Sequence, residues 1–403
     1  MQGLLETGAV ARHLDHADAV TRSALERALA GRSIADEQAR HLIALPADQW
    51  APLLAVAGHV RTAVKGRSIT YSPKVFLPIT NLCHNECSYC TFRAPPDSPH
   101  ARTMLPEEVR ALSREGRALG CTEALLCLGD RPERTHASYR NRLAALGCQS
   151  TVDYLERCCT IALDEGLLPH TNAGVLTKDE MRQLKPLNAS MGLMLESSSP
   201  RLRRPGGPHA NSPDKDPALR LDMIRAAGEL QIAFTTGILI GIGERLEERV
   251  ASLRAVGELQ AQFGHVQEII IQNFRAKLGT PMGEHGEPDA HELAATIAVA
   301  RLMFPDMNIQ APPNLSPRDH RLLLAAGIND WGGISPLTVD FVSPEAPWPQ
   351  LPALADTCRA EGFTLKARLP IYPDFIDRPG FLDPGLRERV TLAAADKGEA
   401  HAG

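Results

Sequence analysis

Three cysteines stand within eight residues, in the stretch Cys83-His-Asn-Glu-Cys87-Ser-Tyr-Cys90. The spacing C-x3-C-x2-C puts three thiolates on one loop, enough to hold one soft metal centre. A structural zinc takes four protein ligands, so a zinc reading needs His84 or His100 as the fourth. A cubane iron–sulfur cluster accepts cysteine thiolates at its irons. Held by only three, it leaves one iron open to a group that is not protein, and the spacing favours this reading over zinc or over incidental thiols. Residues 74–80, just before the loop, are apolar and read as a strand, with Pro78 near its end and Asn81 opening the loop. Loops at the C-terminal ends of strands are where α/β proteins place their chemistry. Of the other six cysteines, Cys121 and Cys127 flank a predicted strand and read as core. Cys158 and Cys159 are neighbours in a helix and cannot both face one metal.

Other candidates fall at further strand ends. Gly129 and Asp130 follow a second strand, and a glycine there lets the backbone approach a ligand closely; a tight strand-to-helix turn would use it equally. Glu196 ends a fourth strand, where its carboxylate can accept from hydroxyls or an ammonium group. Arg220 opens a helix, and its fork suits a carboxylate. Each of these two could also sit in a surface ion pair. Gly237, Gly241 and Glu244 lie in a glycine-rich strand end, Gly237-Ile-Leu-Ile-Gly241-Ile-Gly243-Glu244; no lysine follows, which excludes a phosphate-binding P-loop. His170 falls within a third strand, either in a lumen or in a packed core, and His209 falls in a loop.

The elements that must position these residues form a regular series. Residues 1–66 read as three helices, near 17–30, 35–44 and 49–65, a helical cap over residues 1–69. From residue 74 strand and helix alternate. Strands are predicted at 74–80, 122–128, 168–173, 189–195, 232–240, 267–273, 307–311 and 330–334. Helices are predicted at 105–119, 151–165, from Thr177, 217–228, 245–263, 289–303, 316–326 and 352–361. The helix after residue 105 opens with Pro106 and two acids, as a helix N-terminus favours, and Thr177-Lys-Asp-Glu is a capping box. Residues 131–150 read as an insertion and 198–215 as a long loop. Short apolar strands in repeated βα units imply parallel pairing, and eight units fit a (β/α)8 TIM-like barrel over 70–370. The alternative is an open six-unit partial barrel. Residues 371–403 read as an extension with a disordered end.

Composition narrows the function classes. The chain has 403 residues, 43% hydrophobic and 23% charged, and a net charge of −5 without a basic tract, which argues against nucleic acid as a partner. No apolar run approaches the length of a membrane span, and residues 1–30 lack a signal peptide's basic start and apolar core. A cytoplasmic enzyme without a membrane partner is the expectation, its nine cysteines being ligands or buried thiols and not disulfides.

The cysteine spacing, with Tyr89 just before the third cysteine, resembles the radical SAM superfamily. The resemblance implies a barrel of the radical SAM type carrying a 4Fe-4S cluster, whose open iron is chelated by S-adenosyl-L-methionine (SAM). It also implies roles for SAM-binding residues. The segment at Gly129-Asp130-Arg-Pro-Glu, where relatives carry a Gly-Gly-Glu-like segment, would meet the methionine amino group. Arg220 would pair with the SAM carboxylate, and the 237–244 turn would pack on the adenine. Tyr89, Glu196 and Glu244 complete the implied cofactor site.

Six segments narrow the likeness to the CofG family, the ring-closing component of FO synthase. They are Thr91-Phe-Arg-Ala-Pro-Pro, Gly129-Asp-Arg-Pro-Glu, Ser212-Pro-Asp-Lys-Asp-Pro, Gln272-Asn-Phe-Arg-Ala-Lys, Gln310-Ala-Pro-Pro-Asn-Leu and Asp330-Trp-Gly-Gly-Ile-Ser-Pro. That family implies formation of 7,8-didemethyl-8-hydroxy-5-deazariboflavin (FO), in coenzyme F-420 biosynthesis, by an ammonia-releasing lyase. A CofH-type enzyme would supply the substrate, made from tyrosine and a ribityl-diaminouracil. An electron donor such as ferredoxin or flavodoxin would reduce the cluster. Gln272, Asn273, Asn314 and Asp330 would then meet uracil edges or ribityl hydroxyls. The run Arg201-Leu-Arg-Arg-Pro-Gly-Gly is more basic than the family's pattern. Rival readings are another radical SAM enzyme, of the menaquinone-pathway or biotin-synthase type, and a non-catalytic metal-stabilised barrel.

Overall fold

The computed structural model describes Leu14 and residues 17–396, and the expected disorder of the C-terminal end falls outside them. Eight parallel strands run in sequence order around a closed barrel: β1 (Ser68–Thr80), β2 (Glu123–Leu128), β3 (Leu168–Asn172), β4 (Ser190–Gly192), β5 (Phe234–Ile240), β6 (Val266–Asn273), β7 (Asn308–Gln310) and β8 (Asp330–Ile334). β1 closes the ring by pairing with both β2 and β8. Helices cover the outside, so the strands are buried on both faces and carry continuous apolar runs, as in the wholly buried β5. The partial-barrel alternative is excluded by this closure.

β1 is longer than expected because it serves three neighbours. Ser68–Tyr71 pair with an unanticipated ninth strand, β9 (Thr364–Ala367), Thr70, Ser72 and Pro73 pair with β8, and Lys74–Thr80 pair with β2. β4 is shorter than the predicted 189–195. Leu193 and Leu195 stay buried, but the backbone leaves the ladder. It turns at Glu196, whose φ of 64° is in the left-handed region, and one bridge to Ile238 is the last contact. The 131–150 insertion holds two helices, Pro132–Thr135 and Ala137–Ala145, anchored by buried Tyr139 and Leu143. The loop at 198–215 contains two 3-10 turns, Pro200–Arg203 and Pro213–Lys215. The helix predicted at 316–326 starts later, at His320, after a 3-10 turn at Pro313–Leu315.

Three helices, Ala19–Leu29, Asp36–Ile43 and Trp50–Lys65, lie on the flank of the barrel and share its hydrophobic core. Arg61 fastens the third of them. Its buried guanidinium donates to the Leu324 carbonyl at 3.2 Å and sits 3.8 Å from the Phe363 ring centroid. The segment after β9 folds back beneath the barrel. Leu369, Ile371, Phe375, Ile376 and Phe381 pack with Leu168, Ala189 and Ala233, at or just before the starts of β3, β4 and β5. The N-terminal end of the barrel is thereby stoppered. Loops at the C-terminal ends of the strands are left to form a site.

Candidate active site

The cysteine loop leaves β1 and is pinned from two sides. Asn81 fixes its start, accepting from the Arg102 amide at 2.7 Å and donating to the His100 carbonyl at 2.8 Å. Residues 208–214 clamp its middle: the Glu86 and Ser88 amides donate to the Asn211 and Pro208 carbonyls, and the Asn85 side chain accepts from the Asp214 amide. Gly129 allows the approach from β2. A Cβ there would lie 1.9 Å from the Leu82 carbonyl oxygen and 2.7 Å from the Cys83 Cβ.

Cys83, Cys87 and Cys90 line one cavity. The Asn85 and Asp130 amides donate to Cys83 Sγ at 3.4 and 3.1 Å, and the Ser212 hydroxyl donates to Cys87 Sγ at 3.3 Å. Burial outweighs these donors, pushing the free Cys83 thiol up to about 12 and raising Cys87 as well. These thiols therefore need a bound cationic centre to become thiolates. Among the described residues no three His, Cys, Asp or Glu side chains converge on a single metal ion, and His84 Nδ1 faces Asp214 at 3.1 Å. Three thiols on one cavity wall fit the thiolate set of an iron–sulfur cluster.

Tyr89, Gly129, Asp130, Glu196, Arg220, Gln272 and Asn273 reach the same cavity. Asp130 accepts from the Val175 amide at 3.1 Å and Asn85 Nδ2 at 3.2 Å, and lies 3.7 Å from Arg220. Its carboxylate fills space left by Gly174, where a Cβ would come within 2.3 Å of it. Burial raises its pKa to about 6, opposed by Arg220. Arg220 is buried and donates through Nε to the Asp214 carbonyl at 2.9 Å. Glu196 is buried beside Lys215, which donates to it. Burial alone would raise Glu196, but Lys215 and Arg220 overcome that and hold it below the usual carboxylate range. Tyr89 meets His209 Nε2 through its hydroxyl at 2.9 Å.

Four predicted residues are placed otherwise. Gly237 is needed for strand packing, since a Cβ would lie 2.2 Å from the Ile270 carbonyl oxygen; Gly241 has a φ of 89° and packs on Pro288. Neither lines the cavity, which Leu239 reaches instead. Glu244 folds back on its own turn, accepting from the Gly241 and Ile242 amides at 2.8 and 2.9 Å and pairing with buried Arg249 at 2.7 Å. Asp330 begins β8, at the stoppered end of the barrel. Arg368 holds it at 2.6 Å and pairs with Glu268 at 2.9 Å.

A second chamber fills the lumen, lined by Lys74, Glu123, His170, Glu268, Gln310 and Arg368 among others. It shares Cys127, Asn172, Leu193, Met194, Gln272 and Val342 with the cysteine cavity, so the two adjoin. Asn314 reaches this lower chamber. The side-chain oxygens of Asn273 and Asn314 are buried without a hydrogen-bond partner, so two acceptors at the chambers await a donor.

The description "Radical SAM superfamily" matches residues 77–256. The 7,8-didemethyl-8-hydroxy-5-deazariboflavin synthase of Methanopyrus kandleri is 47% identical over 333 residues, 82% of this chain and 99% of that protein. This chain belongs to that family. The FO synthase of Streptomyces coelicolor is also 47% identical, over 388 residues, but the chain spans only 44% of its length. Among solved structures, the [FeFe]-hydrogenase maturase HydG from Carboxydothermus hydrogenoformans superposes with a TM-score of 0.71 at 19% identity, over 100% of this chain and 96% of that one. Methylornithine synthase (PylB) gives 0.67 at 19%, over 85% and 97%. These two likenesses concern the fold alone.

Several residues in and around this site carry no assignment from the sequence: Asn85, Asn172, Asp214 and Lys215. Two signals were available. Asn85 lies inside the cysteine spacing, and Ser212-Pro-Asp-Lys-Asp-Pro stood out as a segment without its residues being assigned. Two arginines of the basic run are paired with acids outside it, Arg201 with Glu248 at 2.6 Å and Arg203 with Asp216; the run leads into the clamp on the cysteine loop.

Proposed function

We propose that this chain is an ammonia-releasing radical SAM lyase that closes the deazaflavin ring of FO in coenzyme F-420 biosynthesis. Its substrate would be the product of a CofH-type enzyme, and a ferredoxin- or flavodoxin-like donor would supply electrons. The observation that carries this reading is the adjacency of the two chambers: a three-cysteine cavity and a polar lumen share six lining residues. The near full-length match to the Methanopyrus kandleri synthase supports it.

Cys83, Cys87 and Cys90 would hold the 4Fe-4S cluster. When bound, the cluster and SAM supply a 5′-deoxyadenosyl radical, with methionine as co-product. Asp130 would accept from the methionine ammonium and Arg220 would meet its carboxylate, because the two buried charges stand side by side at the cysteine wall. Glu196 would accept from ribose hydroxyls, and Leu239 would pack against the adenine. Gln272 lines both chambers and Asn273 the cysteine cavity, where a substrate C–H must be aimed at the radical and water kept out.

Anaerobically reconstituted protein, given SAM, reductant and the CofH product, should release 5′-deoxyadenosine and ammonia and form a fluorescent deazaflavin. Tyrosine plus ribityl-diaminouracil alone should give none. Deazaflavin from those two precursors would mean that the chain performs both steps. Deoxyadenosine without deazaflavin from the authentic intermediate would assign a different radical SAM reaction.

A further inference from the structure

His170 stands in the middle of β3, opposite Leu125 of β2 and Ser190 of β4. Its Nδ1 lies 2.6 Å from Ser190 Oγ, and the Ser190 hydroxyl donates to the Pro370 carbonyl at 2.6 Å. A carbonyl oxygen has no proton, so the serine hydrogen is committed to Pro370. Ser190 Oγ must then accept from His170, which places the imidazole proton on Nδ1. Burial, with Lys74 and Arg368 nearby, lowers its pKa to about 4 despite the opposing pull of Glu123. The ring is therefore neutral at working pH, and Nε2 carries a lone pair.

Among the described residues Nε2 has no hydrogen-bonding partner, and it is not sealed off as a buried, unpaired atom. Gly192 keeps the space beside it open, since a Cβ there would lie 2.9 Å from Nε2. His170 and Gly192 both line the lumen chamber. Asn172, two residues further along the same face of β3, lines both chambers. Nε2 thus opens into the deeper compartment, below the level at which the cysteines act. A substrate whose reacting carbon sits at the upper chamber must send its remote end down to this level.

We infer that His170 is a specificity-determining residue that accepts, through Nε2, a hydrogen bond from a hydroxyl of a polyol chain on the substrate. Ser190 and the Pro370 carbonyl are positioning groups that fix the tautomer. Glu123, Glu268, Lys74 and Arg368 surround the same compartment, offering acceptors and donors to a chain whose hydroxyls do both. This assignment rests on the functional reading above for the identity of the polyol, a ribityl group.

The test is calorimetric binding of two probes to the reconstituted holoprotein with SAM: ribityl-diaminouracil, and diaminouracil lacking the ribityl chain. His170→Ala should weaken binding of the first by roughly tenfold and leave the second unchanged. Ser190→Ala, which frees the tautomer, should weaken only the first and by less. Nitrogen-15 NMR of the wild type should show a neutral histidine protonated at Nδ1. Equal losses for both probes in His170→Ala would assign the contact to a ring N–H and overturn the polyol reading, as would unchanged affinity for both. Should His170→Ala fail to fold, unchanged ribityl affinity in Ser190→Ala together with an Nε2-protonated signal would overturn it. Ribityl-selective binding without deazaflavin formation would leave this inference standing and remove the functional one.

Discussion

A buried thiol becomes a ligand only where something compensates its charge, and Cys83 shows how closely that is arranged. Two backbone amides point at its sulfur, and Gly129 gives the loop room to approach. Replacing Cys83, Cys87 or Cys90 with alanine should abolish the visible absorbance of the reconstituted protein and its cleavage of SAM. Retained absorbance with full iron content would remove that cysteine from the ligand set. Gly129→Ala should do nearly the same without touching a ligand, since its Cβ would collide with backbone and not with a flexible side chain. Iron and sulfide analysis after reconstitution would read the loss; full occupancy would show that the loop can shift. At Gly237 the same reasoning changes the expectation: a side chain there meets the Ile270 backbone, so Gly237→Val should lower Tm rather than act selectively on SAM affinity.

At the scale of elements, the ion network under the barrel ties three strands together. Arg368, just beyond β9, pairs with Asp330 of β8 and Glu268 of β6, and Tyr372 donates to Glu268 at 2.9 Å. Burial raises Glu268, with Arg368 opposing. Removing the arginine leaves two buried carboxylates facing each other. Arg368→Met should therefore destabilise the protein by about 3–5 kcal/mol, seen as a lower midpoint in urea. A midpoint within error of wild type would mean that the acids take up protons or water at little cost. The elements themselves were largely visible from apolar runs and capping residues. Thr177, predicted to cap its helix, accepts from the Glu180 amide at 3.3 Å while the Glu180 carboxylate accepts from the Thr177 amide at 2.7 Å. β9 was not visible, because its alternately exposed residues look like any surface segment until β1 is beside them.

For the whole molecule, pH should act chiefly through buried histidines. Burial lowers His170 and His265 to about 4 and His209 to about 3. A base whose folded pKa lies below its unfolded value contributes stability above the unfolded value, near 6.5, and loses it as pH falls toward the folded one. Asp130, raised to about 6 by burial, and Glu268, also raised by burial, work the other way, gaining stability as pH falls, but they are two groups against three. Thermal stability of the metal-free protein should fall between pH 6.5 and 4. His265 is remote from the cysteines, donating to the Ile224 carbonyl at 2.8 Å. The stability gap between wild type and His265→Gln should shrink by on the order of 3 kcal/mol across that interval; a constant gap would show that His265 titrates normally when folded.

The sequence by itself determined the cysteine loop, the alternation that makes a parallel barrel and the family. These rest on local spacing and on residue-by-residue likeness, which need no knowledge of what lies across the fold. It also picked out Asp130 and Glu196, because strand ends can be read from apolar runs, and Arg220, because it opens a helix. Only the tertiary structure decided which polar residues face the chambers. Asp330 and Asn314 both lie near predicted strand ends, yet one is locked under the barrel and the other lines the lumen, a difference set by strand direction and by Arg368 arriving from 38 residues away. Glu244 was diverted to its own turn by Arg249, and Lys215 was brought to Glu196 by the clamp over the cysteine loop. The role of His170 depends on a serine and a carbonyl from two other segments. A side chain's partners are fixed by three-dimensional proximity, and no local pattern in the chain encodes it.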